Sequence, residues 1–335
     1  MKDEGGKTKE ERRRKKDDKK YIPHPSSHVP RYIVFIVGPT ATGKTDAAYL
    51  LARQLNCEVV SCDSMLVYKE ASVIISKPSD KILKEVPHHF VDIISVKDSY
   101  SVFEYYKEAS EKIRNLFSKG GSVIVCGGSG LYAKALLDGV FEGVGENKEL
   151  RCQLERKARE YGSQYLYKEL EKVDTETAAK ISPNDLKRVI RALEVYTISG
   201  VPLSRKKKEA CGIYNELPVK VFGLRLNRPQ MYDRINKRVD RMVEAGAVSE
   251  VKELLKLDLS VTAGKIIGVK ELSSFLKNES SLDEAMENMK RNTRRFAKRQ
   301  VTWFGADKRI EWIDVDNMTS EQIKNIIINN VGAGL

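Results

Sequence analysis

Apolar positions along this chain recur in two periods that alternate with one another. RYIVFIV (31–37) is an apolar run of strand length, and one glycine-rich turn later DAAYLLARQL (46–55) repeats apolar residues at spacings of three and four, as one face of a helix does. CEVVSC (57–62) and SVIVC (122–126) are two further short apolar runs, with the helical pattern SVFEYYKEASEKIRNLF (101–117) between them. Short strands apolar on both faces, alternating with helices, predict an α/β fold: a parallel sheet flanked by helices. Ligands of such sheets sit at the carboxyl ends of the strands, where the 38–45 turn, Asp63 and Ser129 converge.

From about residue 140 to 210 the alternation gives way to charged helical stretches without an evident strand, which predicts a helical insertion. Its best-bounded helix is SPNDLKRVIRALEVYTISGVP (182–202), with Ser or Asn as cap, Pro183 near the start, and Gly200 and Pro202 marking the end. Leu186, Val189, Ile190 and Leu193 form an apolar stripe on it, while Lys187, Arg188 and Arg191 cluster on another face. VKVFGLRL (219–226) reads as a returning strand. Two basic helices follow: Tyr232, Ile235, Val239 and Met242 alternate with Arg234, Arg238 and Arg241, and Met286, Met289, Phe296 and Trp303 form an expected core stripe beside Arg291, Arg294, Arg295, Lys298 and Arg299. The domain reading is a charged tail over 1–30, a core over 31–139 and 211–335, and the insertion over 140–210.

Charge sharpens this picture. The net charge is +12; the first 20 residues hold ten Lys/Arg against six Asp/Glu, leaving +8 for the rest, so the body of the chain is itself basic. A basic surface suits polyanionic partners, nucleic acid before anionic membrane, because phosphate neutralisation releases counterions. The tail has no apolar stretch of a signal peptide, and its acidic residues argue against an organellar transit peptide. No run approaches the roughly 18 apolar residues of a membrane span. Five cysteines, an odd number without a C-x2-C pair, fit a reducing cytoplasm, and the adjacent His88 and His89 lack further ligands at zinc spacing.

The chemistry is concentrated in Gly38-Pro39-Thr40-Ala41-Thr42-Gly43-Lys44-Thr45, which matches G-x4-G-K-[ST] between a strand and a helix. Backbone N–H groups and a helix N-terminus would face one anion, Lys44 adds a positive charge, and Thr45 offers its hydroxyl to Mg²⁺. Diphosphate binding follows from this loop; ATP binding does not follow automatically. A motor or switch ATPase would need an acidic residue closing a later strand, and SVIVC is followed by Gly-Gly-Ser instead.

GPTATGKT, SCDSMLVYKE, VPHHFVDIISVKDSYSVFEY, CGGSGLYAKALLDG, SPNDLKRVIRALEVYTISGVPLS, GLRLNRPQMYDRINKRVDRMVEAG and FAKRQVTWF, in this order over about residues 32–314, resemble the successive blocks of the tRNA dimethylallyltransferase family. The resemblance implies that the loop from Gly38 to Thr45 holds the diphosphate of dimethylallyl diphosphate, with Mg²⁺ and arginines of the 234–241 helix, Arg234 and Arg238, neutralising the leaving group. It implies that the adenosine 3′ to the anticodon enters a channel, that Asp63 accepts the proton of its exocyclic amine, and that Ser129, where the family usually has threonine, stands near the departing oxygen. Asp63, Ser64, Met65 and Leu66 match one tRNA-contacting block, and Lys187, Arg188, Val189, Ile190 and Arg191 match a second on the insertion. The family commonly has Gln at Leu66, Gly-Thr-Ala at Ile74-Ile75-Ser76 and Tyr at Val269. The resemblance thus predicts a cytoplasmic, monomeric, Mg²⁺-dependent prenyltransferase acting on the tRNA anticodon arm. Transfer to free adenine nucleotides, as in cytokinin synthesis, is the nearest rival; a small-molecule kinase and a non-catalytic RNA-binding module stand further off.

Overall fold

The computed structural model describes residues 31–332 except Glu142, so the charged tail lies outside the described residues. The strands are β1 (Ile33–Val37), β2 (Glu58–Ser61), β3 (His88–His89), β4 (Val123–Gly127), β5 (Val219–Arg225) and β6 (Ile310–Asp314). They form one sheet in the order β3-β2-β4-β1-β5-β6, and every pairing is parallel. All five residues of β1 are buried because helices cover both faces of the central strands, which explains the unbroken apolar run.

On one face α1 (Lys44–Leu55) packs with a C-terminal helix over Ser320–Gly332 against Val34, Ile36 and Phe222. α2 (Asp80–Glu85) is a short edge turn on this same face, where the Tyr49 hydroxyl of α1 donates to Glu85, and on the other face α3 (Val102–Ser118) and α4 (Gly130–Asp138) pack over Phe35, Val60 and Val125. α3 starts at a reciprocal cap: Ser101 Oγ accepts from Glu104 N–H, and the Glu104 carboxylate accepts from Ser101 N–H.

Five helices occupy the stretch between α4 and β5: α5 (Lys148–Tyr161), α6 (Ser163–Val173), α7 (Thr175–Ala178), α8 (Leu186–Ser199) and α9 (Leu203–Lys208). Leu154, Leu166, Leu170, Val189 and Leu193 give them an apolar core of their own. α8 is capped by Asp185, whose carboxylate accepts from Arg188 N–H, rather than by the Ser or Asn upstream. After β5 come α10 (Arg228–Glu244), α11 (Ala247–Leu254), α12 (Val269–Leu276) and α13 (Leu282–Gly305), with the Ser320–Gly332 helix as α14. α10 to α13 join the 65–75 segment in a further apolar cluster around Tyr68, Ile74, Leu272 and Met289. The buried stripe of α13 is Ala285, Met289, Ala297, Gln300 and Phe304, so Trp303, expected in the core, instead lies 42% exposed one position off that stripe.

Candidate active site

The glycine-rich turn wraps the carboxyl end of β1 and opens α1. Gly38 has φ of 133° and passes so close to β5 that a Cβ there would come within 2.4 Å of Leu224 O, which leaves room only for glycine. Thr42 Oγ1 and Lys44 Nζ both donate to Pro39 O, at 3.0 and 2.5 Å. Thr42 is therefore turned into the loop and shapes it from within, while Thr40, Ala41, Gly43, Lys44 and Thr45 line the adjoining cavity. Burial lowers the Lys44 pKa to about 8, against the opposing pull of Cys126 and Asp63.

The ends of β2 and β4 are locked together beside this loop. Cys62 N–H donates to Cys126 O (2.7 Å) and Ser129 N–H to Cys62 O (3.1 Å), and a Cβ on Gly127 would fall 2.0 Å from Cys62 O. Ser129 Oγ accepts from Ser64 N–H at 2.9 Å and donates to Ser64 Oγ at 3.1 Å, and Asp63 Oδ1 accepts from Met65 N–H at 3.0 Å. Tyr105, stacked on Tyr132, props the same strand end by donating to Ser61 O at 2.9 Å. Asp63 and Ser129 thus sit on two short, rigid connections facing the phosphate-type loop.

These residues share one cavity of about 980 Å³ with Ser64, Met65, Leu66, Arg234 and Arg238. Lys44, Arg234, Arg238, Arg241, Lys265 and Arg299 line it against only Asp46 and Asp63, so its field favours an anionic ligand. Arg238 donates from Nη1 to Thr40 Oγ1 at 2.8 Å; burial lowers its pKa, and Asp63 opposes that shift. Met65, Ile74, Val239, Met242, Ile266 and Phe296 supply an apolar wall next to the charged end.

Two site residues escaped the sequence reading. Gln300 is buried and bridges the loop to β4, accepting from Thr40 N–H at 2.9 Å and donating to Gly128 O at 2.8 Å. Its signal was available: it falls on the buried face of α13, where a polar side chain needs partners. Ser61, at the end of β2, is 3% exposed, and its hydroxyl is the one buried side-chain polar atom without a hydrogen-bond partner among the described residues.

The second block expected to meet RNA divides. Lys187 and Arg188 are exposed on α8, Arg188 paired with Asp185 at 3.2 Å. The side chains of Val189 and Ile190 are buried in the insertion core, because they lie on the apolar stripe of the same helix. Arg191 Nη1 donates to Glu194 Oε2 at 2.6 Å and Nη2 to Val144 O at 3.1 Å, so this guanidinium is tied to the insertion while its side chain stays 35% exposed. Burial works against the charge of Glu194, but the hydrogen bonds from Arg151 and Arg191 outweigh it and hold its pKa low. None of residues 187–191 lines the cavity.

The family model described as IPP transferase matches residues 66–307. The tRNA dimethylallyltransferase of Alkaliphilus oremlandii is 43% identical over 291 residues, spanning 86% of this chain and 93% of its own; that of Acetivibrio thermocellus is 40% identical over 299 residues, spanning 88% and 96%. Among solved structures, the tRNA isopentenylpyrophosphate transferase of Bacillus halodurans superposes with a TM-score of 0.65 at 36% identity over 90% of this chain and 97% of that one. A eukaryotic dimethylallyltransferase acting on tRNA gives a TM-score of 0.73 at 26% identity, covering 90% and 80%.

Proposed function

This chain belongs to the tRNA dimethylallyltransferase family, and from that premise we propose that it transfers the dimethylallyl group of dimethylallyl diphosphate to N6 of the adenosine 3′ to the anticodon in tRNA. The carrying observation is the single cavity in which Lys44, Arg234 and Arg238 gather positive charge at one end while Asp63 and Ser129 face it. The diphosphate lies against the loop amides, Lys44 and the two arginines, with the allyl tail along the apolar wall. The N6 lone pair forms a bond to the allylic carbon as the carbon–oxygen bond to diphosphate breaks, and the bonding pair leaves with the diphosphate. Asp63 takes the N6 proton, an apt role for a carboxylate because the amine becomes acidic only as positive charge develops on it. Lys44, Arg234, Arg238 and Ser129 stabilise the charge gathering on the departing oxygens.

The residues present also fit Mg²⁺. Thr45 presents an exposed hydroxyl beside the loop, and the orphaned Ser61 hydroxyl in the same cavity can partner water of a hydrated ion. Thr45 would hold the ion together with donor oxygens and water, the ligand set Mg²⁺ prefers, and the ion would add charge neutralisation at the diphosphate. No cluster of three His, Cys, Asp or Glu side chains placed for a metal occurs among the described residues. Likewise, no helix among them is long and apolar enough to cross a membrane.

The test is incubation with labelled dimethylallyl diphosphate and either unmodified tRNA or AMP, followed by nucleoside analysis. Label on N6 of adenosine 3′ to the anticodon is the expected result. Label on AMP alone, or ATP consumption without prenyl transfer, would overturn the assignment.

A further inference from the structure

Arg238 meets the phosphate-type loop with its back braced on a second loop. Besides its bond to Thr40, its Nε donates to Ser76 Oγ at 2.9 Å and its Nη2 to Ile75 O at 3.4 Å. The bracing segment folds into one tight turn, with Ser76 N–H on Val73 O (3.0 Å) and Lys77 N–H on Ser72 O (2.9 Å), and Ser76 holds φ of 50°, a conformation that side-chain-bearing residues rarely adopt. What fixes the turn comes from α11. The Glu250 carboxylate accepts from three successive backbone N–H groups, Ser72 (2.7 Å), Val73 (2.9 Å) and Ile74 (2.8 Å).

We propose that Glu250 is a positioning residue of the donor site: by clamping the 72–74 amides it fixes the loop that aims Arg238 at the diphosphate. Glu250 does not itself line the cavity, so it acts through the loop and Arg238. Three amides converging on one carboxylate make a charge-assisted, well-located contact, and removing the negative charge leaves them poorly satisfied. The turn can then relax away from its positive-φ geometry, carrying Ser76 Oγ and Ile75 O with it. Arg238 loses two of its three acceptors, while Asp63, Ser129 and the exposed face of α8 stay where they are.

The inference rests on the reading that Arg238 and the loop hold the donor diphosphate. Its test is a double-mutant cycle of Glu250→Gln and Arg238→Lys, with KM for donor, KM for tRNA, kcat and thermal midpoint measured for each. Glu250→Gln should raise donor KM about tenfold, the usual scale for one charge-assisted hydrogen bond, with tRNA KM within about twofold of wild type. In the Arg238→Lys background the same change should add less than about twofold, because the path it works through is already broken. Glu250→Asp, which keeps the charge, should restore part of the donor affinity and serves if the Gln variant does not fold. Unchanged donor KM with kcat reduced in proportion to lost folded protein would make Glu250 purely structural. Fully multiplicative effects would likewise overturn the proposal, since Glu250 would not act through Arg238. Should Arg238→Lys alone leave donor KM unaltered, the donor-site reading itself fails and the proposal falls with it.

Discussion

Lys44 should trade stability for donor binding, and the size of the trade follows from its burial. A fall in pKa from 10.5 to about 8 means that holding the ammonium charged in the donor-free fold costs about 3 kcal/mol at neutral pH. Between pH 8 and 10.5 the unfolded chain binds this proton more strongly than the folded one, so the cost is full below pH 8 and vanishes as pH rises to about 10.5. Replacing Lys44 with Met keeps the aliphatic stem and removes the charge. Pro39 O is not orphaned, because Thr42 Oγ1 still donates to it. Denaturant unfolding without donor should therefore find Lys44→Met more stable by up to about 3 kcal/mol at pH 7, with the gap closing toward pH 10.5. Excess donor should reverse the ranking: at a thousandfold over Kd a binding-competent protein gains about 4.1 kcal/mol, more than the charge costs, and the Met variant should gain almost nothing. A Met variant that is less stable than wild type at pH 7, or a gap independent of pH, would refute the claim that Lys44 is held charged against its environment.

Asp63→Asn should leave donor affinity and unfolding midpoint nearly unchanged while lowering kcat by about 10²–10⁴-fold, the range for loss of a general base; a kcat close to wild type would remove Asp63 from the proton transfer. Lys187→Ala with Arg188→Ala should lower the magnitude of the log K versus log salt slope for tRNA by roughly two, whereas Arg191→Ala should lower the insertion's stability instead, because Glu194 loses a partner in a buried site. An unaltered slope would mean that the exposed face of α8 is only solvated. Alkylation of the native protein at pH 8 should label Cys152 and Cys211, which are exposed, and spare Cys57 and Cys62, which are buried and whose thiol pKa values burial raises, until denaturant is added. Rapid native labelling of Cys62 would contradict the closed packing between the ends of β2 and β4.

The catalytic end of the fold was legible because its signals are local. β1 and β4 are unbroken apolar runs, β2 and β5 are short runs with an apolar centre between polar ends, and the glycine turn after β1 carries its own geometry in its spacing. β3 is two residues long and has no period to detect, while β6 (IEWID) is an edge strand whose burial alternates within a polar stretch. The lateral order of the strands lies in non-local pairing, of which the sequence carries no one-dimensional trace.

The site divides along the same line. Strand-end residues were placed together because a parallel sheet gathers them at one edge, and the structure adds the ties between Ser129 and Ser64 and between Gln300 and Thr40 that hold this edge in register. The 187–191 block shows the opposite case. The family resemblance assigns all five of its residues to RNA, but a helix turns 100° per residue, so five consecutive side chains cannot share one surface. The apolar period of α8 already assigns Val189 and Ile190 to the interior. Arg191 looks from spacing like an ordinary surface pair with Glu194, and only the fold reveals that Glu194 is fully buried and draws Arg151 and Arg191 to itself. The exposed charge at the start of α8 therefore rests on Lys187 and Arg188, whose side chains reach solvent, while Arg151 joins α5 to Glu194 of α8 and Arg191 ties the same carboxylate to Val144 O.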